Sequence, residues 1–193
     1  MYNLDRKKKT GNFTELNNRN PLGSDENDGA FWMGLNDFIN NYSSISIVSV
    51  FESPTWKKIT VTGSWRGSNA AGCSNHPENF KNNPQFLLVV PRNTPAVINM
   101  TQTDKRGQGG KDLFAVGWSF FNNAGKKFSS DRIPRPAYKS GSYSFSRDMF
   151  IEVPELKSNN EGYTVVCATF DPGEETDFSL TIISKEEVFV QLF

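Results

Sequence analysis

The stretch Gly63–Phe86, GSWRGSNAAGCSNHPENFKNNPQF, decides how the chain is read. It is too long for a turn and has none of the apolar periodicity of a helix. Gly63, Gly67, Gly72 and Pro77 break it, while Trp65 and Phe80 punctuate it with large apolar groups. A loop of this length inside a compact domain is either functional or disordered. Its Trp, Phe and Cys supply the apolar area that disordered segments lack. The stretch therefore reads as an ordered loop joining two strands, Trp56–Thr62 and Gln85–Val90, and pinned by Trp65 and Phe80.

Working outward, the flanking sequence is written for strands. Ser44–Phe51 alternates Ile45, Ile47 and Val50 with serines, close to the period of two that a half-buried strand needs. Phe86–Val90 is continuously apolar, as in a strand covered on both faces. Further strands are predicted at Ala96–Gln102, Leu113–Phe121, Tyr143–Val153, Tyr163–Thr169 and around Phe178–Ile182. Val188–Leu192 reads as a short edge strand or a trailing end. Asp171-Pro172-Gly173 and the glycine-rich Thr103–Lys111 are turns. Lys126–Ser142, broken by Pro134 and Pro136, is irregular. The one good helix is Ala30–Tyr42, where Phe31, Leu35, Phe38 and Tyr42 form a single stripe at helical spacing. Gly34 places its start near that residue, and the stripe is expected to dock on the strands. The result is an all-β chain: an antiparallel, eight-stranded β-sandwich with one short N-terminal helix. Met1–Asn27 reads as a flexible tail with the basic run Arg6–Lys9, and residues 28–193 as the sandwich domain with the helix at 30–42.

The chain has 193 residues, enough for one sandwich, and 16 of them are Phe. Formal net charge is zero, so no global field recruits nucleic acid. The charge is unevenly spread: Asp104–Asp148 holds nine Lys/Arg against four Asp, net +5, and Ile151–Phe193 holds two Lys against nine Asp/Glu, net −7. The N-terminus has no apolar core of a signal peptide and no run is long enough to span a membrane, so the expected compartment is cytoplasmic, with Cys73 and Cys167 reduced.

Chemistry-bearing residues are few. The single histidine, His76, lies three residues from Cys73, and Cys-x-x-His is half a zinc set with no second half in the chain. Cys167 alternates with Val165 and Thr169 and reads as strand interior. Calcium needs six to eight oxygens, commonly from clustered carboxylates. Asp171, Glu174, Glu175 and Asp177 form the dense acidic run after the tail, so calcium is the one cofactor left open and these four are the candidate metal ligands; a solvated turn is the alternative.

The wording of several stretches resembles the calpain family. G-x-W-R-G-x-x-A-x-G-C, then N-x-P-x-x-F-x-x-N-P-Q-F, is similar to the start of the C2-like β-sandwich, domain III, that follows the protease core. Asp28–Phe38 looks like the segment D-G-x-F-W-M-S-x-x-D-F upstream of it, and Gly162–Ser184 like the family's final strand pair. The three lie in order across roughly Asn27 to Lys185. Arg19-Asn20-Pro21-Leu22-Gly23 is similar to R-N-P-W-G, whose Asn orients the catalytic His, with Leu22 in place of Trp; the tail then matches the end of a protease domain. Neither Cys73 nor Cys167 stands in the family's nucleophile context, Q-x-x-x-G-D-C-W, so no catalytic residue is assigned. The resemblance implies a non-catalytic regulatory or docking module of a calpain-like cysteine protease. Its implied partners are the protease domain of the parent protein, another protein, or an anionic phospholipid surface. Lys105, Arg106 and Lys111 on one turn, with Lys126 and Lys127 on another, are the candidate lipid contacts. No aromatic interleaves them, which argues against a nucleic-acid groove. Where the family carries an acidic loop, this chain has Pro91-Arg92-Asn93-Thr94-Pro95, without a carboxylate. Two alternatives are a fragment of an active calcium-dependent cysteine endopeptidase and a freestanding calcium-dependent lipid-binding domain.

Overall fold

A computed structural model describes residues 33–44, 50–104 and 113–193. The chain divides into two compact units, residues 1–49 and 50–193. In the first, helix α1 runs over Leu35–Asn41, with Gly34 in extended conformation at its N-cap. Phe38 and Tyr42, one turn apart, stack at 4.9 Å. No residue of α1 is buried. Residues 30–32 of the expected helix lie outside the described residues.

The second unit is all-β, with nine strands among the described residues: β1 Lys57–Trp65, β2 Gln85–Val90, β3 Thr94–Gln102, β4 Val116–Asn122, β5 Tyr138–Lys139, β6 Asp148–Leu156, β7 Asn159–Thr169, β8 Thr176–Ser184 and β9 Phe189–Leu192. They form two antiparallel sheets, β1-β8-β3-β6 and β5-β4-β7-β2-β9. Only β4 and β5 are consecutive strands that pair; every other connection crosses from one sheet to the other.

Period-two alternation puts one side of each strand into the space between the sheets. Phe86, Leu88 and Val90 of β2, Val116, Trp118 and Phe120 of β4, and Val165 and Cys167 of β7 point inward. They meet Ala96, Ile98 and Met100 of β3 and Phe178, Leu180 and Ile182 of β8. The five-stranded sheet is also covered on its outer face, where Phe121, Val166 and Ala168 pack with Phe80 and Phe128. The continuously apolar reading of β2 fits its place between β7 and β9.

Several expected boundaries move, each for a physical reason. β1 runs on to Trp65, three residues into the stretch read as loop, because Gly63 and Trp65 continue the ladder with Phe178 and Thr176. β4 starts at Val116 rather than Leu113: the backbone of Phe114 is bonded instead to the buried Gln102 side chain, N–H to Oε1 at 3.0 Å and carbonyl to Nε2 at 2.8 Å. Tyr143–Val153 is not one strand. Ser144 bridges to Val116 in one sheet, while Asp148 already pairs with Thr101 in the other, so the chain between them is a crossing. β5 is a two-residue strand inside the segment read as irregular. Of the predicted strand Ser44–Phe51, residues 45–49 lie outside the described residues, and Ser44, Val50 and Phe51 are not in a strand.

Candidate functional site

The Gly63–Phe86 stretch leaves β1 at Trp65, which is fully buried and donates its indole N–H to the Cys167 carbonyl at 3.0 Å, tying β1 to the opposite sheet. Its ring stacks on Phe178 at 4.2 Å. That stack needs Gly63: a Cβ there would sit 2.5 Å from the Phe178 ring. A short 3-10 turn, Gly67–Asn69, and a single helical turn α2, Pro77–Phe80, follow. Gly72 takes φ +80 against Pro172, and the buried Asn83 amide donates to the Gly72 and Phe80 carbonyls. Phe80 then drops into the outer-face cluster, edge-on to Phe121 and Phe128. The expectation that Trp65 and Phe80 pin an ordered loop is met by these contacts.

The acidic run turns out to be this loop's partner. The turn after β7 bonds to it through Cys73 N–H to the Phe170 carbonyl, 3.1 Å, and Gly173 N–H to the Ala70 carbonyl, 2.8 Å. Asp177 accepts from Arg66 Nη2 at 2.7 Å, and Glu175 from the Gly67 N–H at 2.6 Å. Glu174 is buried and Asp171 exposed. Among the described residues no three His, Cys, Asp or Glu side chains are gathered to hold a metal. The four candidate ligands are spread from the turn after β7 into the start of β8, and two of them, Glu175 and Asp177, close the neighbouring loop.

Cys73 and Cys167 are free and buried. Burial pushes the Cys167 thiol well above its ordinary range, opposite to what an attacking thiolate requires. His76 donates its backbone N–H to the Cys73 carbonyl at 3.0 Å as α2 begins. Asn20 lies outside the described residues. No helix among the described residues is long and apolar enough to cross a membrane.

Of the basic candidates, Lys105, Arg106 and Lys111 lie outside the described residues. Lys126 and Lys127 are exposed, on a backbone held in place. The Lys126 carbonyl accepts from Asn123 Nδ2 at 2.8 Å and from Thr164 Oγ1 at 2.6 Å. Two residues on, Phe128 is buried. Its N–H bonds to Gln85 Oε1 at 2.6 Å and its carbonyl to Gln85 Nε2 at 3.0 Å. The two lysines therefore project from an irregular segment sewn to the sheet.

That segment walls a groove of 640 Å³, lined by Lys126, Lys127, Ser129, Ser130, Arg132 and Arg135 among others. Among the described residues none of the four cations is in an ion pair. The one carboxylate of the segment, Asp131, is turned away to Lys81 at 2.6 Å. Sequence reasoning missed Arg132 and Arg135, because the prolines around them mark only an irregular chain. The signal was the local excess of Lys and Arg over a single Asp.

Comparison with known proteins gives this geometry a family. The model for calpain large subunit, domain III, matches residues 61–183. The calpain-2 catalytic subunit of Bos taurus is 26% identical over 200 residues, covering 90% of this chain and 29% of that protein. The calpain-2 catalytic subunit of Homo sapiens is 26% identical over 190 residues, covering 85% and 27%. The calpain-type cysteine protease DEK1 of Arabidopsis thaliana is 28% identical over 180 residues, covering 85% and 8%. The chain spans less than a third of the length of these relatives. With the matched residues running from the second half of β1 to the last residues of β8, through both sheets and the long loop between β1 and β2, this chain belongs to the calpain domain III family.

Proposed function

We propose that this chain is a non-catalytic docking module of calpain type that meets an anionic phospholipid surface through its basic segment. The observation that supports the reading is the groove lined by Lys126, Lys127, Arg132 and Arg135, none of them in an ion pair among the described residues, with the backbone at Lys126 and Phe128 bonded to Thr164 and Gln85. Each basic residue near such a surface contributes on the order of 1 kcal/mol, falling with salt. Attachment is thus reversible and electrostatic. It does not require calcium: Asp177 and Glu175 are already engaged by Arg66 and Gly67, and Pro91–Pro95 carries no carboxylate.

Co-sedimentation with phosphatidylserine vesicles tests this. Binding is expected to fall steeply from low to physiological salt, to be indifferent to chelator or added Ca²⁺, and to vanish in Lys126→Glu/Lys127→Glu without unfolding, since exposed substitutions change stability by about 0.5 kcal/mol or less. Strictly calcium-dependent binding that ignores those reversals would overturn the reading in favour of the acidic turn. The chain is also expected to leave casein intact; hydrolysis that disappears in Cys73→Ala would contradict the non-catalytic assignment.

A further inference from the structure

We infer that Ser129 is a phosphorylation site for a basophilic serine kinase, and that its phosphate closes the basic groove. The inference rests on the reading of that groove as the anion-contacting surface. Lys126 and Lys127 stand three and two residues before Ser129, and all three are exposed. Phe128, immediately before the serine, is turned inward and clamped by Gln85. The segment has neither helix nor strand, and the two lysines and Ser129 line one groove, open to a kinase that reads charge N-terminal to its acceptor. Ser130 is the poorer acceptor, since its Oγ accepts the Arg132 N–H at 3.0 Å.

The reaction is an ordinary phosphoryl transfer. The Ser129 Oγ–phosphorus bond forms as the bond from the γ-phosphorus of ATP to its bridging oxygen breaks. ADP leaves with that electron pair, and the hydroxyl proton passes to the kinase's catalytic carboxylate. The product carries about −1.5 to −2 charge at pH 7 and three acceptor oxygens. It is placed in the groove that Lys126, Lys127, Arg132 and Arg135 line. Charge-assisted hydrogen bonds to those cations replace their contacts with an external anion. Neutralising about two of the four charges should weaken attachment to an anionic vesicle about thirtyfold.

The test uses the whole chain, ATP and the catalytic subunit of cyclic-AMP-dependent protein kinase. One phosphate is expected by mass, mapped to Ser129, retained in Ser130→Ala and lost in Ser129→Ala and in Lys126→Gln/Lys127→Gln. Binding of the modified chain to phosphatidylserine vesicles should drop about thirtyfold, and the second ionisation of the phosphate, followed by phosphorus NMR, should lie below the value of about 6 for free phosphoserine. Absence of phosphate at Ser129, or a phosphate that leaves vesicle binding unchanged, overturns the inference. If the unmodified chain fails to bind vesicles, the docking reading falls. The phosphorus titration then still decides whether the phosphate is held in the groove, an undepressed value sinking the inference.

Discussion

Gly63 shows how one missing side chain organises the start of the sandwich. It sits opposite Phe178 in the β1–β8 ladder, and the ring lies where its Cβ would be, free to stack on Trp65. Gly63→Ala must push that ring aside in a fully packed core, a change that costs about 1–3 kcal/mol by overpacking. A lowered denaturant midpoint with an unchanged slope would show it; an unchanged midpoint would mean the ring relocates freely. Tyr163 gives a second test at this scale. Its ring is buried and its hydroxyl donates to the Lys157 carbonyl at 3.0 Å. Burial, reinforced by the neighbouring Tyr138, pushes its ionisation from 10.0 up to about 12. The folded state holds this proton more tightly than the unfolded chain does. Its contribution is therefore intact below pH 10 and is lost as pH rises towards about 12. Stability should fall through that window more steeply for the wild type than for Tyr163→Phe; parallel curves would show that Tyr163 titrates alike in both states.

Among the elements, the strands were legible where burial on one face writes its period into the sequence. Ile98 and Met100 of β3, Val165 and Cys167 of β7, and Phe178, Leu180 and Ile182 of β8 all point inward as their alternation says. Ends were not legible where a side chain substitutes for a strand. Gln102 bonds to the backbone of Phe114 and so delays β4, a pairing across sequence that no local pattern records. The candidate site was half legible for a similar reason. Lys126 and Lys127 are a plain basic pair, but Arg132 and Arg135 join them only because Gln85 and the outer-face aromatic cluster fold the segment back. Gln85 is thus the hinge between sheet and site. Gln85→Leu leaves the buried Phe128 N–H and carbonyl without partners and should cost about 1–3 kcal/mol. Amide exchange should accelerate at Phe128 while the β7 amides stay protected. Uniform acceleration across both would show that the segment is integral to the sheet, not sewn onto it.

For the residue 50–193 unit as a whole, the topology sets how it can fold. Apart from β4–β5, no strand pairs with its sequence neighbour, and β1 finds its partner β8 more than a hundred residues away, Lys57 opposite Ser184. Each such pairing closes a long loop before any apolar burial rewards it. The interior is also shared: Trp65 of β1 bonds to the Cys167 carbonyl of β7, and Phe178 of β8 meets Phe86 of β2, so neither sheet completes its packing alone. Local hairpins cannot nucleate this core, because the one consecutive pair holds only two residues of β5 at the sheet edge. Refolding from denaturant is therefore expected on the millisecond-to-second scale typical of sandwiches with non-local pairing. Stopped-flow tryptophan fluorescence measures it, since Trp65 and Trp118 are both buried only when the sheets meet. Gly63→Ala reports which pairing comes early. If β1 and β8 join in the transition state the variant slows folding, and if they join later it speeds unfolding instead. Microsecond refolding of the wild type would mean that a local element, not the meeting of the two sheets, limits the rate.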